Sequence, residues 1–283
     1  MPYIEVTDIG KSFERDGRTR EVLRRVSLGV ERGEFVSIVG AMGSGKSTLL
    51  GMMAGLVRPD AGTITVGGVP VTGVVAGAAF VFQNYSLLPW LSARENVRLA
   101  VETAFPGEHK DQHRARADAA LERVGLGAAL DRKPRQLSGG MRQRVALARA
   151  FVTEPSVLFL DEPFGALDAL TRETLQTDLA TMCAAHGRPV TTVMVTNNLD
   201  EAILLSDRIV PMVPGPPAML GAPLAVDLPR PRSAATLAHD ESAGRTRADI
   251  ISVLTSGTGR ARFRAPEQRA LADVTESVKA VMP

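Results

Sequence analysis

Short apolar runs separated by helical patterns extend along most of this sequence. The runs are rich in β-branched and aromatic residues, which predicts β-strands. The predicted strands are Tyr3–Thr7, Phe35–Val39, Thr63–Val66, Ala78–Phe82, Val157–Leu160, Val190–Thr196 and Arg208–Val213. A helix is predicted at Ser47–Leu56, soon after the second strand. Because strands alternate with helices, the pattern indicates an α/β fold with a largely parallel, covered sheet.

The pattern changes to helix from about residue 84 to residue 150. Within this block, Asp111–Val124 alternates charged residues with Ala, Leu and Val, and Gly125 is a plausible helix stop. A helical block placed between strands indicates a lobe inserted into the sheet domain.

Regular patterns weaken after Leu220, where Pro223, Pro229 and Pro231 interrupt any helix or strand. A polar tail with three arginines between residues 260 and 264 follows. We expect it to be solvated or loosely docked, with a binding site as the alternative. The predicted organisation is a domain at 1–232, with its helical lobe at about 84–150, and a partly ordered tail at 233–283.

Composition is that of an ordinary globular protein, with 283 residues, 45% hydrophobic and 23% charged. No apolar run approaches the ~18 residues that span a bilayer, and the first residues lack a signal-peptide pattern, so we expect any membrane role to come through a partner. A net charge of +2 gives no argument for nucleic acid, and the four histidines lack metal-ligand spacing. The single cysteine, Cys183, lies in a helical stretch, which favours buried packing over reactivity.

A glycine-rich loop follows the predicted strand Phe35–Val39 and matches the phosphate-binding pattern G-x-x-x-x-G-K-[ST] in full. It consists of Gly40, Ala41, Met42, Gly43, Ser44, Gly45, Lys46, Ser47 and Thr48. Its glycines allow backbone N–H groups to surround phosphate oxygens. Lys46 is expected to reach the β and γ phosphates and Ser47 to ligate Mg²⁺. The alternative is a glycine-rich turn that binds nothing.

Two acids, Asp161 and Glu162, end the apolar strand that begins at Val157. The carboxyl ends of such strands are where α/β proteins bind ligands. Asp161 is placed to hold Mg²⁺, and Glu162 to polarise an attacking water as a general base. A solvated strand end is the alternative.

A second phosphate-binding device is the turn Ser138-Gly139-Gly140, which opens a basic amphipathic helix. Ser138 offers a hydroxyl, the glycines expose N–H groups, and the helix directs its positive end outward. Two such devices in one chain are explained if a nucleotide is shared between two copies.

With these three motifs in this order, residues 3 to 230 resemble the ATP-binding subunit of ABC transporters. The resemblance implies a P-loop NTPase core, an antiparallel β region near the N-terminus, ATP as ligand and Mg²⁺ as cofactor. It also implies that Phe13 stacks on adenine, for which core packing is the alternative. Gln83 is implied to touch Mg²⁺ and the attacking water and to sense the transmembrane partner.

The same resemblance covers the family's dimer interface. Leu137–Gln143 match the signature that closes over the γ-phosphate of the opposite subunit, which places Ser138, Gly139, Gly140 and Gln143 at the nucleotide. Gly165–Asp168 match the loop that crosses the interface.

One position departs from the family pattern, because Asn197 stands where a histidine normally contacts the γ-phosphate. An asparagine amide still donates a hydrogen bond, but it is shorter and cannot carry a proton. Two interpretations remain open. Hydrolysis is slower or depends on a partner with the histidine, or the variant is tolerated and Glu162 carries the base role.

Residues 82–91, followed by Glu95-Asn96-Val97, resemble the importer branch for nitrate, sulfonate and taurine, and so does Asp227–Arg232. Trp90 is expected near the permease-facing surface, with lobe packing as the alternative. The substrate cannot be identified from this subunit, because the specificity pocket belongs to the binding protein and the permease.

The leading hypothesis is an importer ATPase at the cytoplasmic face of the cell membrane. It would dimerise with itself or a homologous subunit and work with permease subunits and, indirectly, a solute-binding protein, without nucleic acid. The second hypothesis is a regulatory subunit of low intrinsic activity, to which Asn197 points. A soluble family member acting on ribosomes or DNA ranks last, because the chain lacks a second cassette or a coiled-coil insertion.

Overall fold

The computed structural model describes residues 1–15, 17–184, 189–215 and 217–255, so the arginines at 260–264 lie outside the described residues. The strands are Ile4–Arg15 (β1), Arg18–Val30 (β2), Phe35–Val39 (β3), Ala61–Val66 (β4), Val69–Pro70 (β5), Ala78–Val81 (β6), Val157–Asp161 (β7), Thr191–Thr196 (β8), Arg208–Val213 (β9), Met219–Leu220 (β10) and Leu224–Ala225 (β11). The helices are Lys46–Met53 (α1), Ala93–Ala104 (α2), Lys110–Arg123 (α3), Gly139–Phe151 (α4), Ala169–Ala184 (α5), Leu199–Leu205 (α6), Ala234–Ala238 (α7) and Glu241–Thr255 (α8). Short 3₁₀ turns occupy Gly127–Ala129 and Pro134–Gln136.

The central sheet has the strand order β10-β9-β3-β8-β7-β6, with β11 also paired to β9. Strands β9, β3, β8, β7 and β6 are parallel to one another. Strands β3 and β8 are buried along their whole length, which is why they appear in the sequence as continuous apolar runs. Parallel strands end at the same sheet edge, so β3, β6, β7 and β8 deliver the loops after them to one place.

A four-stranded sheet, β2-β1-β4-β5, forms the antiparallel region near the N-terminus and confirms that part of the predicted fold class. The sequence patterns missed β2. Its buried side chains, Leu23, Val26, Leu28 and Val30, do not keep a strict alternation of two. Its pairing with β1 is interrupted by several register shifts, and such bulges break the alternation on which strand prediction depends.

Helices α2, α3 and α4 form the inserted lobe around a core of their own. The helical block begins at Ala93 rather than at 84, because residues 84–92 are turns. Ser92 starts α2 with a capping box, in which its Oγ accepts from the Glu95 N–H at 3.2 Å and the Glu95 carboxylate accepts from the Ser92 N–H at 2.7 Å. Gly125 follows α3 with a φ of 72°, as expected of a helix stop.

The segment after Leu220 is more ordered than its prolines predict. Ala243, Ile250 and Val253 of α8 are buried, and α8 packs against α6 and β9. The tail is expected to be partly ordered and solvated or loosely docked, and in the structure its residues 241–255 form a helix packed against α6 and β9. The apolar residues of α8 are few but share one helical face. The polar residues between them obscure this stripe in the sequence.

Cys183, near the end of α5, is buried, as its helical context predicts. Its Sγ lies 3.7 Å from the Thr192 hydroxyl, and burial raises the pKa of the thiol to about 11. The thiol is therefore a packing group and not a reactive one.

Candidate nucleotide-binding and catalytic site

The glycine loop turns from the end of β3 into α1. Gly43 and Gly45 have φ values of 74° and 97°, a region that residues with a Cβ seldom adopt. At Gly40 a Cβ would lie 2.7 Å from the Met212 carbonyl oxygen, so the loop also needs glycine where it passes β9. The backbone curve expected of a phosphate cradle is present.

Lys46, the first residue of α1, has only 4% of its surface exposed. Its Nζ donates to the carbonyl oxygens of Gly40 at 3.0 Å and Ala41 at 2.9 Å, and lies 3.9 Å from Glu162 Oε1. Burial lowers the pKa of Lys46, while Glu162 and Asp161 counteract that effect. An ammonium group has three donors and the two carbonyls occupy two, so Lys46 retains the capacity to bind a phosphate oxygen.

Ser47 and Asp161 meet across the loop and the sheet edge. Ser47 Oγ donates to Asp161 Oδ1 at 2.9 Å. Burial raises the pKa of Asp161, and the hydrogen bond from Ser47 and the charge of Lys46 act in the opposite direction. A hydroxyl oxygen beside a carboxylate gives a pair of oxygen ligands that suits Mg²⁺, because this ion prefers hard oxygen ligands. The described residues contain no cluster of three or more His, Cys, Asp or Glu side chains suited to a metal.

Gln83 and Glu162 form the second polar pair. Gln83 Nε2 donates to Glu162 Oε2 at 3.0 Å, which leaves the amide oxygen of Gln83 for a metal ion or water. Glu162 has a φ of 42°, an unusual conformation for a residue with a side chain. Its N–H donates to the Val195 carbonyl at 2.9 Å, which anchors it to β8. Gln83 therefore holds the carboxylate of Glu162, and β8 holds its backbone.

A cleft of about 460 Å³ opens beside the Gln83–Glu162 pair. It is lined by Met42 of the glycine loop, Gln83, Glu162 and Asn197, among others. Met42, Glu162 and Asn197 belong to three loops that the sequence marked separately, and the structure brings these loops to one cleft.

The turn Ser138-Gly139-Gly140, here called the signature turn, is not bonded to the glycine loop in the described structure. No hydrogen bond or ion pair among the described residues joins Ser138, Gly139, Gly140 or Gln143 to residues 40–48. Ser138 caps α4, its Oγ accepting from the Met141 N–H at 3.2 Å. At Gly140 a Cβ would lie 2.3 Å from Thr171 Cγ2, so close packing on α5 requires a glycine there.

Gln143 differs from its neighbours in this turn. It is completely buried, and neither atom of its amide has a hydrogen-bond partner. The structure does not present Gln143 to a nucleotide, and its assignment to the nucleotide site stays a prediction.

Phe13 on β1 is 44% exposed, and Trp90 is 65% exposed. Lys11 Nζ lies 5.3 Å from the centre of the Phe13 ring. These exposures disfavour the alternatives of core packing for Phe13 and lobe packing for Trp90, and leave both rings accessible to a ligand or a partner.

The sequence marked the loop that follows Gln83 as a resemblance but did not predict how this loop is held. Tyr85 and Ser86 have φ values of 66° and 45°, and their carbonyls accept from Arg149 of α4 at 2.8 and 2.7 Å. Burial lowers the pKa of Arg149. The helix that begins at the signature turn thus fixes the loop after Gln83. The pattern of the sequence carries no signal of this contact, because it depends on the approach of the lobe to the sheet.

Sequence reasoning also overlooked Arg172 and gave Glu201 no role, although both line the cleft with Glu162. Arg172 lies on α5 and Glu201 on α6, so only the tertiary fold brings them to the site.

Comparison with known proteins adds three kinds of similarity. The family model described as ABC transporter matches residues 23–165. The bicarbonate transport ATP-binding protein CmpC of Synechococcus elongatus is 46% identical over 253 residues, covering 89% of this chain and 38% of that protein. The chain therefore spans well under half the length of this relative. The nitrate import ATP-binding protein NrtD of the same organism is 43% identical over 252 residues, covering 89% of this chain and 91% of that protein.

Among solved structures, an ATP-binding cassette in a dimeric post-hydrolysis state, bound to ADP and Pi, matches with a TM-score of 0.71 and 29% identity. The match covers 80% of this chain and 99% of that chain. In the described part of this chain, every helix is too short or too polar to cross a membrane.

Proposed function

Because the chain belongs to the ABC transporter ATP-binding family, we propose that it binds and hydrolyses ATP to power an importer for a small solute. The solute class we propose is an anion such as nitrate, sulfonate or taurine. One observation carries the ATPase proposal: the Glu162 carboxylate, hydrogen-bonded to Gln83 at 3.0 Å, lies 3.9 Å from the Nζ of Lys46 in the glycine loop. A base, its orienting partner and the lysine expected to bind phosphate are therefore neighbours.

Each residue of the site has a distinct task in this proposal. The backbone of the glycine loop and Lys46 bind the β and γ phosphates of ATP. Ser47 and Asp161 hold Mg²⁺, with Gln83 as a further ligand, and the ion would neutralise charge that develops on the phosphates.

The hydrolytic water is activated by the second polar pair. Gln83 orients the Glu162 carboxylate, which accepts a proton from the attacking water. Asn197 donates a hydrogen bond toward the γ-phosphate. Phe13 supplies a ring on which adenine stacks.

The proposed working unit is a dimer, of two copies or of this chain with a homologous subunit. In it the turn Ser138–Gly140 of one subunit closes over the nucleotide held by the Lys46 loop of the other. The separation of these two devices within one chain supports this arrangement, as does the dimeric state of the cassette with a TM-score of 0.71.

The dimer is proposed to bind permease subunits at the cytoplasmic face of the cell membrane and, through them, to serve a solute-binding protein. The exposed Trp90 supports a permease contact near the helical lobe. The names of the bicarbonate and nitrate relatives support an anion as the solute.

A second candidate function is a nucleotide-binding regulatory subunit with little ATPase activity of its own. The observation that favours it is the place of Asn197, which lines the same cleft as Glu162 without being able to carry a proton.

Glu162→Gln tests the ATPase proposal. We expect kcat to fall at least about 100-fold, because an amide cannot accept the proton, while the affinity for a fluorescent ATP analogue stays within about twofold. Glu102→Gln is the matched control, since Glu102 is a partly exposed acid on α2 whose ion-pair partner is Arg98 of the same helix. Undiminished hydrolysis in the Glu162 variant would contradict the role of Glu162, and the absence of ATP binding by the unaltered chain would contradict the proposal as a whole.

A further inference from the structure

Glu201 is a buried acid in the first turn of α6, to which the reaction proposed above gives no task. Its side chain is 5% exposed. Its Oε2 accepts from the Thr196 hydroxyl at 2.8 Å, and the same hydroxyl oxygen accepts from the Asn198 N–H at 3.0 Å. The carboxylate therefore fixes the chain on both sides of Asn197, the residue expected at the γ-phosphate.

Arg172, near the start of α5, connects Glu201 to a second loop. Its Nε lies 3.7 Å from Glu201 Oε1, and its Nη2 donates to the Leu167 carbonyl at 3.0 Å. Leu167 belongs to Gly165–Asp168, the loop expected to cross the dimer interface. A single guanidinium thus contacts this loop and the acid that holds the segment around Asn197.

The electrostatics of the pair argue against a purely stabilising role. Burial raises the pKa of Glu201, and the nearby charges of Glu162 and Asp200 add to that effect, whereas Thr196 and Arg172 oppose it. Burying the Glu201 carboxylate is unfavourable and the Arg172 side chain stays 32% exposed, so this ion pair is weak evidence for stability. What the pair does supply is a fixed geometry between two loops.

We propose that Arg172 and Glu201 are positioning residues that make the interface loop Gly165–Asp168 and the segment around Asn197 move as one unit. This inference rests on the proposed ATPase function. A shift of the interface loop when the second subunit arrives is transmitted to Asn197 through the Arg172–Glu201 bridge. The hydrolytic geometry is then completed only in the closed dimer.

The test is a double-mutant cycle of Arg172→Gln, Glu201→Gln and the double variant. We expect each single substitution to lower kcat about 10-fold, and the double variant to lose no more than about 20-fold, because both changes break one bridge. The affinity of each variant for a fluorescent ATP analogue, measured without hydrolysis, is expected to stay within about twofold of the unaltered chain. In a Glu162→Gln background, the ATP concentration for half-maximal dimerisation is expected to rise in all three variants.

A loss of about 100-fold in the double variant, the product of two independent effects, would overturn the bridge. Unchanged kcat in the single variants would overturn it as well. These outcomes differ from failure of the proposed function, in which the unaltered chain itself neither binds nor hydrolyses ATP. The control cycle uses Arg98→Gln and Glu102→Gln, a partly exposed ion pair of 3.3 Å on α2, for which kcat is expected to stay within about twofold.

Thermal unfolding of each variant reports on folding. Glu201→Gln keeps an oxygen that can accept from Thr196 and removes a buried charge, so we expect the variant to fold. If Arg172→Gln unfolds below the assay temperature, Arg172→Lys takes its place in the cycle, because a lysine keeps the charge but cannot reach Leu167 and Glu201 together.

Discussion

Asn197 stands where the family resemblance leads us to expect a histidine, and it lines the same cleft as Glu162. An asparagine amide can donate to a phosphate oxygen much as an imidazole does. In the proposed reaction the base is Glu162, to which Gln83 donates a hydrogen bond at 3.0 Å. On this proposal the asparagine changes one hydrogen bond to the γ-phosphate and leaves the base in place.

We expect Asn197→His to change kcat by less than about threefold, or about 0.6 kcal/mol, because the histidine replaces one hydrogen-bond donor with another. Asn197→Ala is expected to lower kcat about 10-fold or more, because the donor is lost at a charged oxygen. Steady-state ATPase of the purified chain measures both. A gain of tenfold or more with histidine would instead favour the regulatory subunit of low activity.

At the residue scale, the sequence predicts what short motifs encode. The glycine loop, Asp161 and Glu162 carry their geometry in consecutive residues, and the structure places Ser47 against Asp161 at 2.9 Å. Arg172 had no such signal, because it reaches the cleft only when α5 packs beside α6. Sequence motifs do not predict residues that reach the site only through the packing of distant elements.

At the scale of elements, strands buried on both faces were predicted within a residue of their ends. The sequence predicts Phe35–Val39 and Arg208–Val213, and β3 and β9 have these bounds. β2 was missed because bulges disturb its alternation, and α8 because its apolar stripe is narrow. Prediction thus succeeded where burial is uniform and failed where half-buried elements deviate from a regular period.

The segment Asp227–Arg232, which the sequence marks only as a resemblance, links the end of α6 to the residues that follow β11 through hydrogen bonds. Arg232 donates to the carbonyl oxygens of Ile203, Ser206, Val226 and Leu228 at distances from 2.6 to 3.2 Å. A guanidinium is well suited to this, because it has five donors and cannot lose its charge. α6 begins directly after Asn198, and Arg232 holds the opposite end of this helix.

We expect Arg232→Ala to lower the free energy of unfolding by about 2–4 kcal/mol, because several carbonyls lose a charged donor at once. Urea denaturation followed by circular dichroism measures the change. Arg245→Ala on α8 is the control. Arg245 is exposed and, within the described part of the chain, makes one long contact, to the Glu241 carbonyl at 3.4 Å, so we expect a change within about 0.5 kcal/mol. Equal effects of the two substitutions would argue against a structural role for the Arg232 contacts.

At the scale of the whole molecule, the two phosphate-binding devices lie on different parts of one chain. The glycine loop belongs to the central sheet, whereas the signature turn opens the helix α4 of the inserted lobe. In the proposed dimer a complete site therefore combines the two subunits, with ATP as the contact between them.

Gly139→Asp separates nucleotide binding from dimerisation. A Cβ at Gly139 has no neighbour closer than 3.7 Å, and an acid in the first turn of α4 suits the helix dipole, so we expect the chain to fold and to bind ATP at its own loop. A carboxylate facing the phosphates of the other subunit is expected to raise the ATP concentration for half-maximal dimerisation at least about 10-fold. Sedimentation in a Glu162→Gln background measures this.

Gly107→Asp serves as the matched control, since Gly107 is exposed on the lobe with no atom within 4 Å of a Cβ. It is expected to dimerise like the parent. Dimerisation of the Gly139 variant at the parent ATP concentration would contradict the shared site.

The burial of Cys183 has a practical consequence for observing this closure. The sequence contains one cysteine, and its thiol is enclosed and protonated at neutral pH, so maleimide dyes are expected to leave the native protein unlabelled. A cysteine introduced at Gly107 would then carry the only fluorophore. Energy transfer between the lobes of two such subunits would follow the approach and separation of the dimer in real time, without first deleting the native thiol.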